Sequence, residues 1–207
     1  MERYRLIISL AGGLLLFPLS ACMNQETKGS SGAVSPAGTT PSATGTEASK
    51  APAGAGGALA RASIEGRSGS SLSGAATFSE TPEGVKVLVN VKGAPPGQHA
   101  VHVHEKGDCS ASDAMSAGGH FNPEPKHHHG GPNAPDHHPG DFGNMMVSAD
   151  GTGKLELVTK DLTVAAGSHS VVGLSIIVHE KADDLKSDPS GNAGGRIGCG
   201  VIQKVKA

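Results

Sequence analysis

The chain has 207 residues, 36% of them hydrophobic but only 2% aromatic, and a formal charge of −2 from 17 basic and 19 acidic side chains. That balance argues against nucleic acid as a partner, which calls for a basic face. With no Trp, one Tyr and four Phe, the core must be built mostly of Val, Ile, Leu and Met.

Residues 1–5 carry two Arg and precede an apolar run over 6–19. This is a charged start and a hydrophobic stretch of signal-peptide length, too short and too interrupted by Gly and Pro to span a membrane. The run ends in Leu19-Ser20-Ala21-Cys22, which resembles the lipobox of bacterial lipoproteins. The resemblance implies a signal peptide over 1–21, cleavage before Cys22 and a lipid on Cys22, so that the protein is anchored to a membrane rather than spanning it. Ordinary cleavage would instead leave Cys22 as a free thiol. Loss of Glu2, Arg3 and Arg5 with the signal moves the charge from −2 to −3. Residues 22–57 are dominated by Ser, Thr, Gly, Ala and Pro and cannot bury enough surface to offset ordering entropy. They read as a flexible tether, leaving 58–207 as one domain.

Within that domain the dominant period is two. Val85, Val87, Val89 and Val91 alternate with Lys86, Leu88, Asn90 and Lys92, which predicts a half-buried strand between two turn sequences, 81–84 and 94–97. Strands are also expected at 58–66, 72–79, 99–105, 144–149, 153–159, 172–179 and 198–205, with Asp150-Gly151 as a tight turn. No sustained helical period occurs. The expected fold is all-β, an eight-stranded antiparallel sandwich or barrel interrupted by two long connections, 106–142 and 180–197. Loops of that length are usually functional.

The first connection and the strand before it hold nine of the 11 histidines. Imidazole is the commonest metal ligand, well suited to zinc and copper. On a strand, His102 and His104 share a face while Val101 and Val103 point inward. His120, His129, His138 and Asp141 follow, and His179 ends a later strand. Three His and one Asp suit a closed tetrahedral zinc shell, and four His suit Cu(II). Seven positions serving two four-coordinate ions require one to be shared, which a deprotonated imidazole can be. Setting Cys22 aside, Cys109 and Cys199 form an even pair in an exported domain and read as a disulfide; thiolate ligation lacks the usual Cys-x-x-Cys spacing.

At this point the chain resembles a known family. The motifs His-Val-His-Glu (102–105), Gly-Asp (107–108), Ser-Ala-Gly-Gly-His-Phe-Asn-Pro (116–123), His-Gly-Gly-Pro (129–132), His-Pro-Gly-Asp (138–141), Val-His-Glu-Lys-Ala-Asp-Asp (178–184) and Gly-Asn-Ala-Gly-Gly-Arg-Ile-Gly-Cys-Gly-Val-Ile (191–202) are similar to those of copper,zinc superoxide dismutases of the bacterial lipoprotein kind. The resemblance implies a Greek-key barrel binding one copper and one zinc. It implies copper ligands His102, His104, His120 and His179, and zinc ligands His120, His129, His138 and Asp141, with His120 as the bridge. Asp183 would link a copper-ligand His to a zinc-ligand His, here His102 and His129. Arg196 would sit beside the open copper position, and Cys109 and Cys199 would form the intrasubunit disulfide. The implied activity is disproportionation of superoxide to oxygen and hydrogen peroxide outside the cytoplasm, on the periplasmic side or at the cell surface. Arg196 and His120 would act on the substrate. Monomers and homodimers both fit. A non-enzymatic copper-binding or copper-delivery lipoprotein on the same fold is the alternative function.

The run His127-His128-His129 leaves the zinc register open; the following Gly-Gly-Pro favours His129, with His128 as the fallback. The loop before Arg196 is shorter than in eukaryotic members and lacks their paired Glu, leaving Lys181 and Lys186 as substitutes for steering charge. His99 reads as a structural hydrogen-bond donor. His127, His137 and His169 read as solvated, with auxiliary metal capture as the alternative, and Asp184 reads as surface.

Overall fold

The computed structural model describes residues 59–125 and 127–206. The expected signal peptide, Cys22, the tether and the domain start at residue 58 lie outside these residues. Alternation builds the strands. In β3 (Gly84–Lys92) all four valines are buried, whereas Lys86, Asn90 and Lys92 are exposed. A fully buried Val contributes roughly 1.5–3 kcal/mol, so this strand alone is a substantial part of the core. The others are β1 (Leu59–Gly66), β2 (Ser73–Thr81), β4 (Gly97–His104), β5 (Asp141–Val147), β6 (Gly153–Thr159), β7 (Ser175–His179), β8 (Arg196–Val201) and β9 (Gln203–Lys204).

Every pairing between these strands is antiparallel. Around the barrel the order is β1-β2-β3-β6-β5-β4-β7-β8, and β8 pairs back onto β1. Closure leaves no long sheet edge exposed. The expected eight-stranded antiparallel barrel is therefore present. β9 is a short continuation of β8, which breaks at Ile202, where the backbone bonds to Gly173 and Leu174 instead. Among the described residues the only helical segment is a 3-10 turn over Met115–Ala117.

Several strand boundaries differ from those read in the sequence, three of them beside the long connections. β5 begins at Asp141 rather than 144, because Asp141 takes a place in the ladder opposite His102. β7 begins at Ser175 rather than 172, and β8 begins at Arg196 rather than 198. At β5 and β8 polar or glycine residues at the strand end conceal the alternation, whereas before β7 the apolar Val172 and Leu174 prolong it although their segment bonds to Ile202 instead. The β4–β5 register shifts between Ala100 and His102, and the β7–β8 register shifts between Val178 and His179. Such bulges re-aim side chains, and both fall at histidines.

The core contains Phe78, Phe121 and Phe142 among aliphatic side chains, with Phe78 and Phe142 ring centroids 6.5 Å apart. A second small cluster of Ala114, Ala117, Ile177 and Cys199 lies under the β4–β5 connection. There Cys109 and Cys199 form a disulfide with a Cα–Cα distance of 5.8 Å, tying that connection to β8. Asp183 and Asp188 from the β7–β8 connection bond to His129 from the β4–β5 connection, so the two long loops meet.

Candidate metal centre

Val101 and Val103 of β4 enter the core, which turns His102 and His104 to the other side of the strand, where both are fully buried. The backbone of the long connection is stitched onto this strand. The Phe121 N–H donates to Val103 O (2.8 Å), the Val103 N–H to Gly140 O (2.9 Å) and the Gly140 N–H to Phe121 O (3.1 Å). Position 140 must be glycine, since a Cβ there would lie 2.5 Å from Val103 O. These bonds deliver His120 opposite His104 and set Asp141 at the head of β5. His179 arrives from the end of β7.

Each ring has one nitrogen fixed by an acceptor. His104 Nδ1 donates to Gly118 O (3.0 Å), His179 Nδ1 faces Gly194 O (3.5 Å), and His102 Nε2 meets Asp183 Oδ2 (2.9 Å). The remaining nitrogens converge: His104 Nε2 and His179 Nε2 are 3.4 Å apart. With His120 they form a four-histidine group whose ligand atoms all lie within 4.8 Å of one another. A second group under the same limit comprises His120, His129, His138 and Asp141. His120 belongs to both. Its Nδ1 is 2.7 Å from Asp141 Oδ1, while its Nε2, on the other edge of the ring, is buried without a hydrogen-bond partner. Asp141 Oδ2 accepts from the Gly130 and His138 N–H groups (both 3.1 Å) and lies 3.0 Å from His129 Nδ1.

A third group joins the two. Asp183 reaches His102 Nε2 through Oδ2 and His129 Nε2 through Oδ1 (2.8 Å). Its backbone is clamped to β5, where its N–H donates to Asn144 Oδ1 (2.7 Å) and Asn144 Nδ2 donates to its carbonyl (2.9 Å). Gly191 passes over it with φ +62°, and any Cβ there would collide with Asp183 and His129.

The donor set fits metal cations. Buried without hydrogen-bond partners are His102 Nδ1 and His120 Nε2, while His129 Nδ1 and His138 Nδ1 face Asp141 Oδ2 at 3.0 and 3.4 Å. A buried polar atom left unpaired costs about 1–3 kcal/mol, a cost that an ion at these nitrogens removes. Burial and neighbouring imidazoles hold His104 and His179 well below the usual range and push His120 down to about 4, so these rings keep lone pairs at neutral pH. Burial would raise Asp141 and Asp183, but hydrogen bonds from the rings outweigh it and keep both ionised, well below the carboxylate range. Burial opposes a proton on His129 too, yet bonds to those same two carboxylates raise it to about 9. In the absence of metal the proton on His129 partly offsets these two buried negative charges, and a cation bound by the same ring displaces that proton.

An opening of about 370 Å³ reaches this centre, lined by His104, His120, His179 and Arg196, with Asp113 and Met115 at its side. Arg196 is held by the chain itself: its two terminal nitrogens donate to Ala114 O (2.8 Å) and Gly118 O (2.7 Å). Gly118 O thus serves Arg196 and His104 together. Neither Lys181 nor Lys186 lines the opening.

Every residue expected at the centre is brought to it. His129 is buried in the second group, whereas His128 is exposed, its Nδ1 2.7 Å from Asp188 Oδ2. His99 bridges the carbonyls of Pro95 and His179, both at 2.8 Å, and so helps fix the His179 backbone. Asp184 is not an idle surface residue, for it accepts bonds from Lys186, Ser187 and Asn192 and shapes the loop over Asp183. Asn144 and Asp188, whose Oδ1 takes the His129 N–H at 2.7 Å, escaped the sequence reading. An isolated Asn at the edge of a strand pattern and an Asp before Pro189 carry no distinguishing signal.

Residues 72–202 match the family model described as copper/zinc superoxide dismutase. The chain belongs to the copper/zinc superoxide dismutase family. It is 40% identical over 144 residues to a Cu-Zn superoxide dismutase of Deinococcus radiodurans, covering 65% of this chain and 79% of that one. It is 41% identical over 135 residues to one from Caulobacter vibrioides, covering 63% and 78%. An extracellular Cu-Zn superoxide dismutase of Caenorhabditis elegans is 39% identical over 141 residues, with 65% of this chain and 62% of that one covered. Among solved structures, that of the clock protein EA4 aligns with a TM-score of 0.65 at 38% identity, over 75% of this chain and 99% of that one. As a copper/zinc superoxide dismutase the protein is an oxidoreductase that disproportionates superoxide, with copper and zinc as its metals.

Proposed function

We propose that copper is held by His102, His104, His120 and His179, that zinc is held by His120, His129, His138 and Asp141, and that the enzyme removes superoxide outside the cytoplasm. The observation that carries the metal assignment is the sharing of His120 between two four-ligand groups whose unbonded ring nitrogens are buried. When bound, copper supplies one-electron exchange and zinc a fixed positive charge. Two superoxide anions and two protons become one oxygen and one hydrogen peroxide. His120 Nε2 is the atom suited to take a proton whenever it is not ligated, and Asp141 lies on the opposite, Nδ1 side of the ring. Asp183 holds His102 and His129 in one tautomer each, the role outer carboxylates play for metal-bound imidazoles.

Arg196 attracts and positions the anion. Its guanidinium stays charged despite partial burial, and it is the cationic side chain lining the opening. Arg196→Ala should lower kcat/KM about tenfold, within the range electrostatic steering supplies, and flatten its dependence on ionic strength. Stopped-flow decay of superoxide at several salt concentrations measures this. An unchanged rate with an unchanged salt slope would leave Arg196 merely bracing Ala114 and Gly118.

The location rests on two supports. A disulfide persists in oxidising compartments, and one similar protein bears the name extracellular. The anchor rests on the sequence Leu19-Ser20-Ala21-Cys22 alone. Full-length chain expressed in a bacterium with an outer membrane should sediment with membranes, and Cys22→Ala should release it to the soluble periplasmic fraction. Identical fractionation of the two would remove the lipid from the proposal.

A further inference from the structure

Away from the two central groups, three histidines close around a separate small cavity. His127 and His137 come from the β4–β5 connection and His169 from the β6–β7 connection, and together with Glu124 and Asp161 they line a space of about 140 Å³. Far from being solvated, each of these rings is anchored. His137 Nδ1 donates to Ala134 O and His169 Nδ1 to Asp161 O, both at 2.8 Å. His127 Nδ1 lies 2.7 Å from Asp136 Oδ1. In all three the Nδ1 edge is therefore taken by an oxygen, and Nε2 is the nitrogen that faces other groups. Two of these Nε2 atoms stand beside carboxylates: His137 is 3.5 Å from Asp161 Oδ2 and His127 is 3.4 Å from Glu124 Oε2. Asp161 is itself steadied by the Thr159 hydroxyl, which donates to Oδ2 at 2.8 Å. Among the described residues no Lys or Arg lines the cavity.

Imidazoles pinned at Nδ1 by carbonyl or carboxylate oxygens, with Nε2 directed elsewhere, are the arrangement that orients histidines toward metal. Three of them with one carboxylate match the ligand count and chemistry of a tetrahedral zinc site, and imidazole also suits Cu(II). We propose that this cavity is a third metal site, at which Zn(II) or Cu(II) is bound by His127, His137 and His169 with Asp161. Its ligand atoms are spread more widely than the central groups, which are the sets that meet a 4.8 Å limit among the described residues. Binding must draw the rings together, so the site is weaker and more exchangeable than the centre. Its placement gives it a consequence. His127 and His137 lie beside His129 and His138 in sequence, so an ion here fastens the loop carrying those two to the connection carrying His169.

The test uses full-length protein with its central copper and zinc loaded and loosely held metal removed. Zn(II) is then added alone, with calorimetry and metal analysis after equilibrium dialysis. One further equivalent is expected, with affinity on the order of micromolar. His169→Ala and His127→Ala should each weaken it at least about tenfold, while the two central equivalents and the circular dichroism spectrum stay as they were. His128→Ala, altering the exposed neighbouring ring, should leave the third equivalent unchanged. The proposal is overturned if no further equivalent binds below about 100 μM. It is also overturned if that equivalent survives His169→Ala at full affinity, or if His128→Ala abolishes it.

Discussion

The His120→Ala variant should lose superoxide turnover by roughly a thousandfold or more, equivalent to about 4 kcal/mol of lost transition-state stabilisation, and should retain less of both metals. The size of the effect follows from the position of one ring. His120 packs against His102 at 4.0 Å and His104 at 4.9 Å between centroids, and against His129 and His138 at 5.3 and 5.7 Å. Among the described residues no other belongs to both four-ligand groups. Truncation therefore removes a ligand from each group at once and leaves Asp141 Oδ1 without its ring partner. It also removes the buried Nε2 proposed to take a proton. Superoxide decay followed by stopped-flow, with copper and zinc measured on the same sample, decides the matter. Full activity with full metal content would take His120 out of the mechanism.

Opening the disulfide is the second large effect. Cys109 and Cys199 are 90 residues apart, and chain entropy alone assigns a loop of that length about 4–5 kcal/mol of constraint on the unfolded chain. The Cys109→Ser, Cys199→Ser double variant should unfold about 10–15 °C lower by calorimetry, taking the shift per kcal/mol usual for a domain of this size. The loss reaches the metal centre through a short path. The segment after Cys109 supplies Ala114 O and Gly118 O, which hold Arg196, and Gly118 O also holds His104. The oxidised linkage thus fixes the position of the cation beside the opening. The variant should accordingly also show a lower kcat/KM when saturated with metal. An unchanged melting temperature would mean that the β4–β5 connection is held by its backbone bonds alone.

Much of this arrangement is legible in the sequence because two simple signals coincide. Alternating valines write β3 directly, and His102-Val103-His104 places two imidazoles on one face of β4 whatever the rest of the fold does. His120, His129, His138, Asp141 and His179 stand out as candidate ligands by residue type, Asp183 and Arg196 only through the motif resemblance, and the folded chain brings all of them together. What the sequence hides is contact between segments distant along the chain. Asn144 clamps Asp183 from 39 residues away, and Asp188 caps His129 from 59 residues away. Neither residue type at either position announces a partner. The boundary of β5 was missed for the opposite reason: Asp141 is polar because the metal centre needs a carboxylate, so the strand's first residue breaks the alternation that would reveal it. His127, His137 and His169 read as solvated one by one; their shared cavity exists only once two connections fold against each other.

The central claim is that one imidazole joins two different ions. A crystal structure of the fully metallated protein, with anomalous scattering recorded at the copper and zinc edges, tests it most directly. The account predicts a copper peak at Nε2 of His120 and a zinc peak at Nδ1 of the same ring, with Asp141 on the zinc side. Peaks that place the His120 ring against one ion, or against neither, would contradict it.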